Sequence, residues 1–241
     1  MTDSLNITLW NVQWAKGKRG QLVKGRLFRC PVDVLCVTEG YPDMLKDSGY
    51  LISSDADHGY NTTDDRRKVI LWSNNPWALV DTGNGFDFPS GRFVSGITNT
   101  PLGSIRFVGV CIPWKSAHVS TGRRDREVWQ DHMSYLDALE KWLDSTDNSE
   151  PVILLGDFNQ RIPFNGQSKR AYDRLMSVLE PRLRVVTGGV LDGVKERSID
   201  HIAVSSHFGN STVDTFSKTT DNGKKLSDHF GLRVNIRKTA S

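Results

Sequence analysis

Asp157 and Asn159 follow directly on the apolar run Val152-Ile153-Leu154-Leu155-Gly156. A carboxylate can position or deprotonate a water, and a carboxamide can orient one. Side chains two apart on an extended chain point to the same side, so the pair is expected to face one small space at a strand's C-terminal end. Taken alone, the stretch reads more simply as a strand closed by Asp and Asn turn chemistry. Four further apolar segments end or begin at polar residues: Asn11, Glu39, Asp200, and Asp228 with His229. Buried charge is expensive unless paired, hydrogen-bonded or metal-bound, so five such coincidences point to one shared site. If they converge, the site is rich in oxygen and carries a histidine. That suits a hard cation, Mg²⁺ or Mn²⁺, better than zinc.

The elements that must position these residues can be read from period and punctuation. Residues 5–12 alternate, with Leu5, Ile7, Leu9 and Asn11 on one face, and form a first strand. Residues 32–37 make a central strand ending in Thr38-Glu39-Gly40. Strands are also expected at 69–73, 151–156, 184–187, 198–204 and 231–236, with a hairpin pair at 92–98 and 104–112. Helices are expected over 21–30, over 128–143, and from a Ser168 cap to Leu179. Arg123, Arg124 and Arg126 fall at the N-terminal end of the long helix, where cations oppose the macrodipole at a cost of a few tenths of a kcal/mol. An anionic ligand accounts for them; the plainer account is Asp125 and Glu127 in the same turn. Residues 14–20, 53–68, 81–91, 113–122 and 217–226 are polar loops. Strands spread along the whole chain, with no repeat or linker between them, argue for one α/β domain over 1–241, with two packed sheets and helices outside.

Bulk properties agree with this reading. The 241 residues are 37% hydrophobic and 24% charged, which suits a globular chain with a real core. The net charge of +3, from 31 basic and 28 acidic residues, neither demands nor repels a polyanion. No apolar run approaches the roughly 18–20 residues that cross a bilayer. The start, Met-Thr-Asp-Ser-Leu-Asn, has neither the basic nor the apolar region of a signal peptide. Cys30, Cys36 and Cys111 form no CxxC spacing and fit buried thiols in a reducing compartment, so a cytoplasmic location is expected. No protein partner is inferable.

The ordered series Trp10-Asn11-Val12-Gln13, Thr38-Glu39-Gly40, Gly156-Asp157-Phe158-Asn159, Ser198-Ile199-Asp200-His201 and Ser227-Asp228-His229 resembles the endonuclease/exonuclease/phosphatase superfamily, the DNase I-like metal-dependent phosphoesterases. The resemblance spans residues 6 to 236. It implies a four-layered α/β sandwich, two packed mainly antiparallel sheets flanked by helices, and divalent-metal hydrolysis of a phosphoester. It implies that Glu39 binds the metal with Asn11 and Asp228 beside it, and that Asp157 positions or deprotonates the attacking water. Asn159 would orient that water or the phosphate, and His229, held by Asp200, would contact the scissile phosphate.

One departure stands out. The family usually places a His or Tyr two residues before a proline after the strand ending here in Cys111-Ile112-Pro113. A thiol is a weaker donor than imidazole. His118 can take that part from the loop, against the plainer reading of an exposed loop histidine. The basic segments 16–19, 66–68 and 123–126, with Trp14 and Trp114 near the expected site, suggest a nucleic-acid substrate, Arg124 and Arg126 meeting its phosphates. The alternative is a small-molecule or lipid-linked phosphate, since Gly156-Asp157-Phe158-Asn159-Gln160-Arg161 faintly resembles the motif of inositol phosphatases. A non-catalytic binding module is the third reading.

Overall fold

The computed structural model describes residues 4–61 and 64–239. The first three residues of the N-terminal stretch, Thr62 and Thr63 of the 53–68 loop, and both ends of the 1–241 span lie outside the described residues. The elements run β1 (Leu5–Asn11), α1 (Gly17–Leu27), β2 (Val34–Gly40), β3 (Tyr50–Ser53), β4 (Arg67–Ser73), β5 (Trp77–Asp81), β6 (Phe93–Thr100) and β7 (Gly103–Cys111). Then come α2 (Gln130–Ser145), β8 (Val152–Asp157), α3 (Lys169–Leu179), β9 (Arg184–Val185), β10 (Asp200–Val204), β11 (Phe208–Phe216) and β12 (Gly231–Lys238).

Two six-stranded sheets result, ordered β11-β12-β1-β2-β4-β3 and β5-β6-β7-β8-β10-β9. Only the β1/β2 and β7/β8 pairs are parallel among the described strands. Period-two alternation builds the layers. Leu5, Ile7 and Leu9 of β1 face Phe107, Ile153 and Leu155 of the other sheet in the central core. The opposite face of β1, through Trp10, packs with Val23 and Leu27 of α1. On the far side, Leu154 and Val108 pack against Leu139 and Leu143 of α2 and Leu175 and Leu179 of α3. The layers are therefore helix, sheet, sheet, helices. Each fully buried Leu, Ile or Phe contributes roughly 1.5–3 kcal/mol.

Ser168 caps α3, its hydroxyl accepting the Ala171 N–H at 3.3 Å. Two helix boundaries differ from expectation. α1 starts at Gly17, not residue 21, so Lys18 and Arg19 sit in its first turn rather than in a loop. α2 starts at Gln130, because Trp129 adopts a left-handed φ of 70° that stops the helix. Arg123, Arg124 and Arg126 consequently precede the helix and do not oppose its dipole. β3, β5 and β11 carry no clear alternation of apolar residues. All three lie at or beside a sheet edge, where one face is wet and packing does not impose the pattern.

Candidate active site

Strand direction gathers the polar ends. β1 and β2 are parallel, so Asn11 and Glu39 emerge at the same rim. β12 runs antiparallel to β1, so the residues before it, Ser227 to His229, arrive at that rim too. In the second sheet β7 and β8 are parallel, with Cys111 opposite Asp157, and antiparallel β10 sets Asp200 opposite Asp157. Gly156 permits this approach. Its φ is +145°, and a Cβ there would lie 1.9 Å from the Val110 carbonyl oxygen.

Two hydrogen bonds close the rim between the sheets. Asn11 Nδ2 donates to Asp157 Oδ2 at 3.1 Å, and Asp200 Oδ2 meets His229 Nδ1 at 2.6 Å. Asp157, Asp200 and His229 bring one ligand atom each to within 4.8 Å of one another. The Ser227 hydroxyl donates to the Asn11 carbonyl at 2.6 Å and accepts the His229 N–H at 3.1 Å, and Trp10 Nε1 donates to the His229 carbonyl at 2.8 Å. The loop before β12 is thus tied to β1 at several points.

The electrostatics are uneven. Burial, then the neighbouring Asp200 and Glu39 carboxylates, push the Asp157 carboxyl up to about 7. Burial works to lower His229, but the Asp200 carboxylate outweighs it and lifts the imidazole to about 10, so His229 is an imidazolium at neutral pH. Asp200 Oδ1 is buried without a hydrogen-bond partner. Crowded carboxyls with an orphaned oxygen form a donor set that fits a hard divalent cation.

Glu39 carries a left-handed φ of 52° and its Oε1 accepts from Lys68 Nζ at 2.7 Å. A glutamate in that region is strained by roughly 1–2 kcal/mol. Asn159 does not continue the strand. Its φ is 53°, its N–H donates to Asp157 Oδ1 at 2.9 Å, and its Nδ2 donates to the Ile112 carbonyl at 2.8 Å. An Asx-type turn, rather than strand alternation, holds it beside Asp157. Asp228 is half exposed, its Oδ1 3.9 Å from His229 Nε2.

His118 is buried, not exposed. Its Nδ1 lies 2.6 Å from Asp131 Oδ2, its ring rests 4.7 Å from that of Tyr60, and its Nε2 has no partner. Arg126 donates to the other Asp131 oxygen at 2.8 Å. Arg124 is exposed and has no ion pair among the described residues, and Trp114 is also exposed. The basic runs are partly self-neutralised: Arg66 pairs with Asp64, Arg67 with Asp65, and Arg123 with Asp125.

Lys68 and Arg92 are polar groups near the site that sequence patterning did not single out. Lys68 was one cation in a basic run, and Arg92 opened an ordinary strand. Lys68 is buried because β4 is covered on both faces along its whole length from Lys68 to Ser73. A signal for Arg92 existed in the lone charge at the head of an apolar strand.

The sequence matches the Endonuclease/Exonuclease/phosphatase family over residues 8–229. No curated protein matches the chain. Similar solved structures include an endonuclease/exonuclease/phosphatase from Beutenbergia cavernae, with 15% identity, TM-score 0.69, and coverage of 99% of this chain and 72% of that one. An AP endonuclease from Archaeoglobus fulgidus aligns with 19% identity, TM-score 0.64, and coverage of 95% and 98%. A beta toxin mutant from Staphylococcus aureus with bound magnesium ions aligns with 14% identity, TM-score 0.66, and coverage of 97% and 99%.

Proposed function

The chain belongs to the Endonuclease/Exonuclease/phosphatase family of metal-dependent phosphoesterases, and from that premise we propose that it is a phosphodiesterase cleaving nucleic-acid phosphodiester bonds by attack of water. The observation that carries the reading is the Asp157, Asp200 and His229 cluster, a carboxyl of raised pKa beside an imidazolium.

Glu39 would be the principal holder of the cation, Mg²⁺ or Mn²⁺, with Asn11 and Asp228 beside it; when bound, that ion would supply Lewis-acid polarisation of a phosphate oxygen. Asp157 holds the attacking water and takes its proton. Its carboxyl, pushed up to about 7, is a matched base near neutral pH. The Asn11 amide fixes one Asp157 oxygen and the Asn159 N–H the other, so the base is held in one orientation. His229, kept charged and oriented by Asp200, donates from Nε2 to a non-bridging oxygen and meets the negative charge that grows at phosphorus. His118, with Nδ1 anchored to Asp131, has Nε2 available as a further donor. Trp114, Arg124 and Arg126 flank the substrate.

A second reading, hydrolysis of a small-molecule phosphate, is favoured by the pairing of Arg66, Arg67 and Arg123 within the chain, which leaves less charge for a long polyanion. A substrate panel separates the two. Plasmid DNA, single-stranded DNA, RNA, bis-p-nitrophenyl phosphate and p-nitrophenyl phosphate are each assayed with Mg²⁺ or Mn²⁺. Cleavage of nucleic acid and of the diester is expected. Turnover of the monoester alone overturns the nuclease reading.

A further inference from the structure

A fully buried cation without a counter-ion stands beside this centre. Arg92, at the entry to β6, is 2% exposed, and no carboxylate pairs with it among the described residues. Its Nη1 reaches the Cys111 carbonyl at 3.4 Å and Cys111 Sγ at 4.0 Å, while Nε and Nη2 find no partner. Cys111, opposite Asp157 in register, does not neutralise it. Burial pushes that thiol up to about 12, so it stays protonated. An uncompensated buried guanidinium is among the costliest groups a fold can carry.

A second anomaly lies close by. Residues 55–57 are exposed, yet the next side chain, His58, turns inward and is buried with neither ring nitrogen partnered. Its ring stacks on Trp14 and tilts against Tyr60, with centroids at 5.9 and 5.5 Å. Burial, then the charges of Lys68 and Arg92, hold it down at about 4, as expected of a ring next to both cations. The same loop covers His118, since a Cβ on Gly59 would lie 2.4 Å from His118 Nε2. The loop also passes over Arg92's neighbour, because a Cβ on Gly91 would lie 2.2 Å from the Asp57 carbonyl. Residues 55–59 make no described hydrogen bond to the rest of the chain. The Gly59 N–H donates to Asp57 within the loop, and the Tyr60 hydroxyl meets Thr121 at 3.3 Å.

We propose that Arg92 and His58 form a subsite for a second, non-scissile phosphate group, reached when the loop over 55–60 lifts. The substrate is then a phosphoester that bears a phosphate beside the bond being cut. This rests on the phosphoesterase reading above. The chemistry matches: a guanidinium fork and an imidazole N–H meet several phosphate oxygens at once. The terminal phosphate of an oligonucleotide and the second phosphate of a small bisphosphate share that chemistry.

The test uses metal-free protein. Binding of inorganic phosphate in EDTA is measured by calorimetry for the wild type, Arg92→Gln and His58→Asn. The loop variant guards against a folding defect from Arg92. The wild type is expected to bind phosphate without metal, and each variant to weaken it by about tenfold or more. With Mg²⁺, rates are compared for 5′-phosphorylated against 5′-hydroxyl dithymidine, and for a nucleoside 3′,5′-bisphosphate against the 5′-monophosphate. A preference for the more phosphorylated member of one pair identifies the source, and both variants should reduce it. Wild-type protein that binds no phosphate in EDTA, or equal affinity in all three proteins, overturns the subsite. So does phosphate binding without a rate preference in either pair. Wild-type protein that hydrolyses no phosphoester with Mg²⁺ or Mn²⁺ overturns the phosphoesterase reading instead, and the calorimetry then judges the subsite separately.

Discussion

Asp200 Oδ2 lies 2.6 Å from His229 Nδ1, a contact between the start of β10 in one sheet and the approach to β12 in the other. It orients the imidazole and keeps it charged, because the nearby carboxylate outweighs the cost of burial. Asp200→Asn should therefore bring the His229 pKa down from about 10 toward the ordinary histidine range, read by NMR titration. It should also lower kcat on the order of 10²-fold at pH 8. An unchanged pKa would disprove the coupling.

Lys68 occupies Glu39 Oε1 at 2.7 Å and so competes with any cation for that oxygen. Lys68→Met removes a like charge from the metal's neighbourhood. Mn²⁺ binding followed by calorimetry should tighten by about tenfold, the scale of perturbation a close charge produces. Weaker binding in the variant would show that Lys68 supports the site instead.

The three cysteines differ in exposure. Cys30 is exposed, whereas Cys36 and Cys111 are buried with thiols pushed up by burial. The thiolate is the reactive form. A chromogenic disulfide reagent should titrate one thiol in the native protein and three in denaturant. Modification of Cys111 in the native state would contradict the closed arrangement beside Arg92.

Acid should destabilise the metal-free protein. His58, His132 and His201 are each held at about 4 by burial, whereas the unfolded chain protonates them near 6.5. Between about 6.5 and 4 the unfolded state binds more protons, so stability present above 6.5 is lost as pH falls, at up to about 1.4 kcal/mol per pH unit for each histidine. Asp157 acts in the opposite sense, since its folded carboxyl takes a proton near 7 that the unfolded chain does not. His229, lifted to about 10, also acts in the opposite sense, but only until the unfolded histidine protonates near 6.5. Three groups outweigh these two below that point. The urea midpoint should fall from pH 7 to pH 5, and His201→Gln should flatten the decline. A midpoint that rises toward pH 5 would refute this balance.

Much of this arrangement is legible in the sequence. Asn11, Glu39, Asp157 and Asp200 each interrupt an apolar stretch, and a strand end that stops on a carboxylate or amide needs a reason. Strand pairing was not readable, although it is what brings the ends together. Nothing local distinguishes the parallel β1/β2 pair from an antiparallel one. Asn159 lies beside Asp157 through a left-handed backbone and an Asx-type turn, which the strand alternation of the sequence does not show. The burial of His118 is not legible in the sequence, since it depends on Asp131 and Tyr60, both distant in pattern. Lys68 and Arg92 were hidden for a related reason. A charge beside a strand looks solvated until the opposite sheet is in place.

The most direct measurement is hydrolysis of bis-p-nitrophenyl phosphate by Asp157→Asn, beside wild type with Mg²⁺ and wild type in EDTA. The carboxamide keeps the shape and cannot take a proton from water. A loss of about 10²–10⁴-fold in kcat for the variant is predicted, together with loss of wild-type activity in EDTA and its return on adding Mg²⁺ or Mn²⁺. Wild-type turnover in EDTA, or a variant as fast as wild type, would contradict the assignment of Asp157 and of the metal-dependent chemistry built around it.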